Sequence, residues 1–262
     1  MGTLSGQSFV IIGGTTGLGL SAAQAIVRAG GRVVVTGRSQ ANVDAASETL
    51  GTAGHAIVAD ASKEQSTHQA ISTSVKSFGS FDGLYHVAGG SGRRHGDGPL
   101  HEISEEGWAQ TMDWNLRSVF RSNQAAVQAF IGQKTAGTIL NMASVLAYSP
   151  SSPFFTTHAY ATAKAGILGL TKSCAAHYAK QNIRFNAIAP ALVATPMSER
   201  AQSDEAIMTF IKRKQPLDGG RIGSPSDLDA AVVFLLSKEA RFVTGQTLTI
   251  DGGWSVSEGG AI

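Results

Sequence analysis

Tyr160 and Lys164 are the residues whose types and spacing most clearly suggest chemistry. They stand four positions apart in a stretch that the apolar spacing predicts to be a helix, so both side chains lie on one face. A tyrosine hydroxyl, with an ordinary pKa of ~10, is a weak acid unaided, whereas a neighbouring ammonium favours tyrosinate and lowers that pKa. The pair therefore predicts a positioned proton donor whose pKa is adjusted by its surroundings.

A glycine-rich turn near the start of the chain suggests phosphate binding. Gly13-Gly14-Thr15-Thr16-Gly17-Leu18-Gly19 follows an apolar run and leads into an alanine-rich amphipathic stretch. A strand, a tight turn and a helix N-terminus direct backbone N–H groups and the positive end of the helix dipole to one point, which suits a pyrophosphate. Gly13 permits the turn, Gly17 lets the backbone approach the phosphates, and Gly19 lets helix and strand pack closely. Three residues separate Gly13 from Gly17, unlike the G-x-G-x-x-G of the common dinucleotide fingerprint.

Short β-branched runs alternate with longer amphipathic stretches, and this order predicts the elements that position both sites. The predicted strands are 9–12, 33–35, 55–58, 83–87, 138–142, 183–188 and 247–250, and the predicted helices are 21–29, 42–50, 66–78, 105–131, 158–180 and 227–236. Nearly continuous apolar strands separated by helices are typical of a parallel sheet covered on both faces. We therefore predict an α/β fold, a doubly wound parallel sheet of about seven strands. After Pro190 the pattern loosens, and 191–220 is predicted to be a substrate lid.

Composition and charge narrow the class of protein. With 262 residues, of which 42% are hydrophobic and 15% charged, the chain has enough apolar material for one core, so we predict a single dinucleotide-binding and catalytic domain over residues 1–262. A net charge of +2 with scattered basic residues argues against a nucleic-acid partner. The lone Cys174, the lack of signal-peptide features and the lack of an apolar run of ~18 residues predict a soluble, cytoplasmic protein with no membrane partner.

Further motifs fall in register with those of the short-chain dehydrogenase/reductase family, in its shorter single-domain branch, which this sequence resembles. The glycine spacing of the turn is similar to the family's, Asp60-Ala61 follows the third predicted strand where the family holds adenine, and Ala88-Gly89 follows the fourth. Asn115, Ser144, Tyr160 and Lys164 are similar to the family's catalytic four, and Pro190 to Thr195 resembles its nicotinamide loop. Val243-Thr244-Gly245-Gln246 and Ile250-Asp251-Gly252-Gly253 resemble its C-terminal strand.

The resemblance implies a Rossmann-type fold, hydride transfer between a nicotinamide cofactor and a ketone or secondary alcohol, no metal, and a homotetramer paired through the helices at 105–131 and 158–180. It also implies that the positive charge of the oxidised nicotinamide acts with Lys164 to lower the pKa of Tyr160. Ser144 is expected to hydrogen-bond the carbonyl oxygen, and Asn115 is expected to hold a water linking Lys164 to solvent. The expected cofactor-binding residues are Gly13, Thr15, Thr16, Gly17, Leu18, Gly19, Arg38, Ser39, Asp60, Ala61, Ala88, Gly89, Tyr160, Lys164, Pro190, Val193 and Thr195.

The sequence departs from the family pattern in several places. His86-Val87 stands where the family often has two asparagines, Ala191 replaces a common glycine, and Ile12 replaces a threonine. The interval from Ser144 to Tyr160 is longer than usual, and the extra residues, within 149–155, are predicted to shape the substrate pocket.

The end of the second predicted strand bears on the choice between NADP and NAD. It carries no carboxylate for the ribose hydroxyls, and Arg38 is instead placed to meet a 2′-phosphate through two hydrogen bonds. Against this, Thr16 occupies a position where many NADP-using relatives carry a second basic residue, and Arg38 could stack on adenine or face water. NADP is the favoured cofactor and NAD the alternative.

The substrate is indicated only by its surroundings. Phe154, Phe155, Tyr148, Met197 and Met208 suggest an apolar or ring-bearing ketone or alcohol, and a 3-oxoacyl thioester is the other candidate. Arg93, Arg94 and His95 could bind a substrate anion, although a solvated loop is the favoured interpretation.

Two alternative functions stay open beside an NADP-dependent reductase. One is an NAD-preferring alcohol dehydrogenase, and the other is a cofactor-sensing regulatory protein without turnover. The complete set of Asn115, Ser144, Tyr160 and Lys164 argues against the second.

Overall fold

A computed structural model describes residues 2–152 and 154–258, and within them seven strands form one parallel sheet. The strands are β1 (Ser8–Ile12), β2 (Arg32–Gly37), β3 (Gly54–Val58), β4 (Gly83–His86), β5 (Gly137–Met142), β6 (Ile183–Pro190) and β7 (Thr247–Ile250). Their order across the sheet is β3-β2-β1-β4-β5-β6-β7. This architecture confirms the predicted α/β class. Pro153, inside the predicted substrate-pocket loop, lies outside the described residues.

Helices cover both faces of the sheet. They are α1 (Gly17–Arg28), α2 (Gln40–Leu50), α3 (Gln65–Phe78), α4 (Glu105–Met112), α5 (Ser118–Gln133), α6 (His158–Tyr178), α7 (Glu199–Gln202), α8 (Glu205–Lys214) and α9 (Asp229–Leu236). Strand β1 explains the two layers, because Phe9 and Ile11 pack into the core under α1, α2 and α9, whereas Val10 and Ile12 pack into the core under α3, α5 and α6. A strand buried on both faces has no polar side, as the apolar run predicts.

The position of the site follows from the strand order. β1 pairs with β2 on one side and with β4 on the other, so successive connections leave this point in opposite directions and open a crevice at the carboxyl ends of the strands. The glycine turn follows β1, and the loop that contains Ala88 and Gly89 follows β4. Both segments therefore meet at the same crevice.

Three helical predictions differ from the structure. The predicted helix at 105–131 is divided into α4 and α5 by one turn of π-helix, Asp113–Arg117. The helix predicted from 227 begins with a 3-10 turn, Pro225–Leu228, which Ser224 caps, before α9. The segment 191–220, expected to be loosely structured, contains α7 and α8, because Asp204 caps α8 and one face of that helix buries Ile207 and Ile211.

His86, at the end of β4, is one of the departures from the family pattern and is fully buried. Its Nε2–H donates to the carbonyl oxygen of Ala88 at 3.0 Å, and its Nδ1 lies 2.7 Å from Ser122 Oγ. Burial, together with the charge of Lys164, lowers the pKa of His86 to about 3, although the bond to Ala88 opposes this shift. The ring is therefore neutral at ordinary pH and ties the loop after β4 to α5.

We expect acid to destabilise the protein through His86. Below its ordinary pKa of 6.5 the ring takes up a proton in the unfolded chain, whereas the folded state binds none until about 3, so the free energy of unfolding falls as the pH drops between those values. Between about pH 7 and about pH 4.5 this residue contributes a loss on the order of 3 kcal/mol. Urea unfolding at both pH values should show a smaller acid loss in His86→Asn than in the wild type.

The exposed His101 supplies the control, since His101→Asn should lose as much stability in acid as the wild type does. An acid loss that is the same in His86→Asn and in the wild type would assign the effect to other groups.

Candidate active site

A cavity of about 540 Å³ opens at the carboxyl ends of the strands. It extends from the glycine turn and the end of β2 to Ser144, Tyr160 and Lys164. The predicted cofactor residues on its wall are Gly13, Thr15, Thr16, Gly17, Leu18, Arg38, Ser39, Asp60, Ala61, Ala88, Gly89, Tyr160, Lys164, Pro190, Val193 and Thr195. Two predicted site residues, Gly19 and Asn115, do not line the cavity. Contacts within the protein explain their residue types, since Gly19 packs against the glycine turn and Asn115 hydrogen-bonds the loop after β4.

The glycine turn is held tightly against its neighbours. Gly13 has a φ of +85°, and a Cβ there would lie 2.8 Å from the backbone nitrogen of Ala88. A Cβ on Gly19 would lie 2.0 Å from the carbonyl oxygen of Gly13, so Gly19 is required for the contact between α1 and the turn. Helix α1 begins at Gly17, and its N-cap, Thr16, makes no capping bond through its side chain. The first-turn N–H groups are therefore available to an anion.

The end of β2 supports this turn and extends the cavity. Thr36 accepts the N–H of Gly13 on its Oγ1 at 3.1 Å and the N–H of Gly14 on its carbonyl oxygen at 2.9 Å. Arg38 follows on the cavity wall and is exposed. Burial raises the pKa of Asp60, but hydrogen bonds from Ser62 and the charge of Arg38 outweigh it and hold that pKa below its ordinary value. Asp60 is thus an ionised neighbour of Arg38.

Helix α6 carries Tyr160 and Lys164 on one face, as the sequence predicts. Lys164 Nζ lies 5.5 Å from the centre of the Tyr160 ring and donates to the carbonyl oxygen of Met142 at 2.8 Å. Burial raises the pKa of Tyr160 to about 12, although a hydrogen bond with Ser144 opposes this shift. Burial also lowers the pKa of Lys164 to about 7. Among the protein's own groups burial therefore dominates for both residues, and the lowering of the tyrosine pKa by Lys164 together with an oxidised nicotinamide stays a prediction.

Ser144 lies just after β5 and faces the same part of the cavity. It caps the 3-10 turn Val145–Ala147, with its Oγ accepting the N–H of Leu146 at 3.2 Å. The same side chain hydrogen-bonds Tyr160. The turn thus holds the serine hydroxyl within hydrogen-bonding reach of the tyrosine side chain.

Asn115 lies in the π-helical turn and is fully buried. Its Nδ2 donates to the carbonyl oxygens of Gly90 and Thr111, each at 2.9 Å, and its Oδ1 accepts the N–H of Gly90 at 3.1 Å. A Cβ on Gly89 would lie 2.7 Å from that Oδ1 and 3.6 Å from Lys164 Nζ. The side chain therefore binds the loop after β4 to α4. Its amide atoms are thus used within the protein, and the expectation that Asn115 holds a water linking Lys164 to solvent stays a prediction.

Asp97 is a functional candidate that the sequence analysis missed. Its two carboxylate oxygens accept the N–H groups of Ala159 and Tyr160, each at 3.0 Å. The N-cap of α6, Thr157, makes no capping bond through its side chain. A carboxylate from the loop after β4 therefore caps the helix at the backbone of Tyr160. An Asp-Gly pair in a glycine-rich loop reads as a turn, so nothing local to the sequence indicates this role.

The far end of the cavity is largely apolar and is partly formed by the C-terminal region. Phe155, Trp254, Leu146 and Met197 line it. Phe210 of α8 packs on Trp254, Phe154 and Phe155 with ring centres 5.3 to 6.4 Å apart, so the predicted lid is anchored by aromatic contacts. Tyr148 and Met208, also expected here, do not line the cavity, and the Tyr148 hydroxyl instead lies 2.6 Å from Thr249 Oγ1.

The three basic residues after β4 separate in the structure. Arg93 is partly buried and lines the cavity, whereas Arg94 and His95 are exposed. The favoured interpretation of a wholly solvated loop is thus wrong for Arg93, because its guanidinium folds inward onto the loop that precedes α6.

Within residues 2–152 and 154–258, no group of His, Cys, Asp and Glu side chains is arranged to hold a metal ion. In the same described ranges, no helix has the length and apolarity that crossing a bilayer requires.

The chain is similar to known dehydrogenases and reductases over nearly its whole length. The chain matches a protein-family model described as Enoyl-(Acyl carrier protein) reductase over residues 13–255. The 2-dehydro-3-deoxy-D-gluconate 5-dehydrogenase of Escherichia coli is 34% identical over 258 residues, which cover 96% of each chain. The 3beta-hydroxysteroid dehydrogenase 1 of Eggerthella lenta is also 34% identical, over 98% of this chain and 96% of that one.

A solved structure gives the same result for the fold. The structure of a short-chain type dehydrogenase/reductase from Mycobacterium ulcerans superposes with a TM-score of 0.89 at 25% identity, over 97% of this chain and 91% of that chain. The likeness therefore extends over nearly the whole chain and is not confined to the glycine turn or to the Tyr160 helix.

Proposed function

Because this chain belongs to the short-chain dehydrogenase/reductase family, and is therefore an NAD(P)-dependent oxidoreductase, we propose that it is an NADP-preferring ketone reductase in which Tyr160 donates the proton. The observation that carries the proposal is a single cavity that joins the N-terminus of α1 to Ser144 and Tyr160. Its relatives are named for a sugar acid and for a steroid, so family membership leaves the substrate open.

The residues along the cavity fit a nicotinamide dinucleotide. The first turn of α1 offers N–H groups that the Thr16 side chain does not cap, and such a turn binds phosphate. On the opposite side Thr195 packs close to the turn, because a Cβ built on Gly17 would lie 3.5 Å from the Thr195 Cβ. When bound, the nicotinamide ring supplies or accepts the hydride at its C4 atom.

Tyr160 Oη is the proposed proton donor to the substrate oxygen. Its pKa of about 12 keeps the hydroxyl protonated at neutral pH, which is the form that reduction requires. Ser144 Oγ holds the same substrate oxygen and stabilises the charge that develops on it. Lys164 Nζ, fixed beneath the ring by the Met142 carbonyl, exchanges its proton in the neutral range because its pKa is about 7.

Arg38 is the residue proposed to select NADP. It is exposed on the cavity wall at the end of β2, its guanidinium forms no salt bridge among the described residues, and Asp60 is the acidic group beside it. A guanidinium at this position can bind a 2′-phosphate with two charge-assisted hydrogen bonds. NAD preference in the oxidative direction is the alternative.

Replacement of Arg38 tests the cofactor preference. We expect Arg38→Ala to lower kcat/KM for NADPH about 10- to 100-fold, the value of a charge-assisted pair of hydrogen bonds, while kcat/KM for NADH changes by less than about threefold. The exposed Arg241 offers a matched control, since Arg241→Ala should alter neither value. Faster consumption of NADH than of NADPH by the wild type would refute the preference.

The activity itself is tested by following the absorbance of NADPH and of NADH against a panel of ketones, aldehydes and 3-oxoacyl thioesters. We expect turnover of a ketone with NADPH. Tight cofactor binding without turnover of any panel member would favour the cofactor-sensing regulatory protein instead.

The assembly is proposed to be a homotetramer paired through α5 and α6. Phe120 and Ile131 are large apolar side chains of α5 that are about half exposed in the single chain, which supports burial of this helix by another copy. Light scattering at micromolar concentration should give the mass of four chains, and a monomer would contradict the pairing.

A further inference from the structure

Two arginines from separate segments line the substrate end of the cavity, defined by Phe155, Trp254, Leu146 and Met197. Arg93 belongs to the loop after β4, and Arg200 belongs to α7 in the lid. The reduction proposed above needs Tyr160, Ser144 and Lys164, and the proposed selection of NADP uses Arg38. Neither assigns a role to Arg93 or to Arg200.

Arg93 is held in a fixed orientation. It lies in the 3-10 turn Gly92–His95, and its Nη2 donates to the carbonyl oxygen of Phe154 at 2.8 Å. This bond joins the loop after β4 to the loop before α6. The remaining guanidinium N–H groups form no salt bridge among the described residues. The side chain is therefore positioned with donors to spare.

The acidic neighbour of Arg93 is Asp97, which is outnumbered by the charges of Arg93 and Arg200. Burial lowers the pKa of Arg93, the charge of Arg200 lowers it further, and Asp97 opposes both. Both oxygens of Asp97 are already used by the backbone of α6. The acidic residue on the described cavity wall is Asp60, which stands beside Arg38 at the opposite end. The substrate end is thus positive and has apolar walls.

We propose that Arg93, with Arg200, binds a carboxylate group of the substrate, which makes the preferred substrate a ketone or secondary alcohol that also carries a carboxylate. The inference rests on the proposed function, since the cavity must first hold a reacting carbonyl near Tyr160. The guanidinium of Arg93 binds the carboxylate with charge-assisted hydrogen bonds. Phe155 and Trp254 pack on the part of the substrate that joins its carbonyl to its carboxylate.

The cofactor diphosphate is the other anion within reach. Arg200 lies a short way along the chain from Thr195, which faces Gly17 in the phosphate-binding turn. An arginine that binds the diphosphate would alter the affinity for the cofactor, whereas one that binds the substrate carboxylate would alter the affinity for acids alone. A test must therefore measure both.

The test compares keto acids with their neutral esters. Levulinate and benzoylpropionate, each beside its methyl ester, are reduced with NADPH by the wild type, Arg93→Met, Arg200→Met and the exposed-neighbour control Arg94→Met. We expect the wild type to favour each acid, and Arg93→Met to lower the acid-to-ester ratio of kcat/KM about 10- to 100-fold through KM. Arg200→Met should lower the same ratio, and Arg94→Met should leave it unchanged.

A binding measurement separates this proposal from the proposed function. Levulinate and its methyl ester are titrated against the cofactor complex by tryptophan fluorescence, because Trp114 and Trp254 line the cavity. Acid-selective binding that Arg93→Met abolishes, without turnover, would retain the carboxylate site and reject the reductase. Turnover of both esters and acids with no preference in the wild type would reject the carboxylate site and retain the reductase. A raised KM for NADPH with an unchanged acid-to-ester ratio would also overturn the proposal, since it assigns the arginines to the cofactor.

Discussion

Tyr160→Phe is expected to lower kcat for ketone reduction by about 10²- to 10⁴-fold while leaving NADPH binding nearly unchanged. The substitution removes the hydroxyl, which hydrogen-bonds Ser144, and keeps the ring that lies over Lys164. The proton donor is lost, and the shape of the cavity is kept. Steady-state kcat at saturating cofactor and a fluorescence titration of NADPH measure the two effects separately.

Tyr148→Phe is the matched control for this variant. Tyr148 also carries a hydroxyl in a hydrogen bond, to Thr249, but it does not line the cavity. We expect its kcat to stay within about twofold of the wild type. Turnover by Tyr160→Phe at the same rate as by Tyr148→Phe would contradict the assigned proton donor.

Gly19→Ala is expected to weaken NADPH binding about 10- to 100-fold and to lower the free energy of unfolding by about 1 to 3 kcal/mol. The new Cβ would lie 2.0 Å from the Gly13 carbonyl oxygen and 2.8 Å from the Gly14 Cα, and both are backbone atoms that move only with the turn. Because the same turn is the proposed phosphate site, we expect stability and affinity to fall together. Urea unfolding and a fluorescence titration measure the two.

Gly169→Ala in α6 gives the control, because a Cβ there has no atom within 4 Å among those it would meet. It should stabilise the helix slightly, since alanine has the higher helix propensity. Binding of NADPH by Gly19→Ala with the wild-type affinity would mean that the turn is looser than the contacts indicate, or that it does not hold the phosphates.

Local sequence patterns were sufficient to predict the fold and part of the candidate site. The apolar run at 9–12 predicts a strand buried on both faces, and the glycines that follow predict a turn leading into a helix, because both signals depend on adjacent residues. The start of that helix was predicted at 21, four residues after α1 begins at Gly17. The spacing of Tyr160 and Lys164 likewise predicts a shared helix face. In each case the structural consequence is decided within one or two turns of chain.

Contacts between segments far apart in the chain could not be predicted from the sequence. Asp97 caps α6 across 62 residues, and Trp254 reaches the cavity from the C-terminal region, so neither is indicated by its neighbours. Asn115 makes its hydrogen bonds from a π-helical turn that no local signal predicts. The contribution of burial to the pKa values of Tyr160 and Lys164 was also unpredictable, because only the folded chain supplies it.

The transfer of deuterium from NADPH to a ketone is the most direct test of the proposed NADPH-dependent ketone reduction. NADPH carrying deuterium at both C4 positions is incubated with the wild type and methyl benzoylpropionate, and the product is examined by mass spectrometry and NMR. We expect one deuterium on the carbinol carbon for each NADPH consumed, and a loss of this product in Tyr160→Phe. An alcohol product without deuterium at that carbon, or bound NADPH that is never consumed with any ketone, would contradict it.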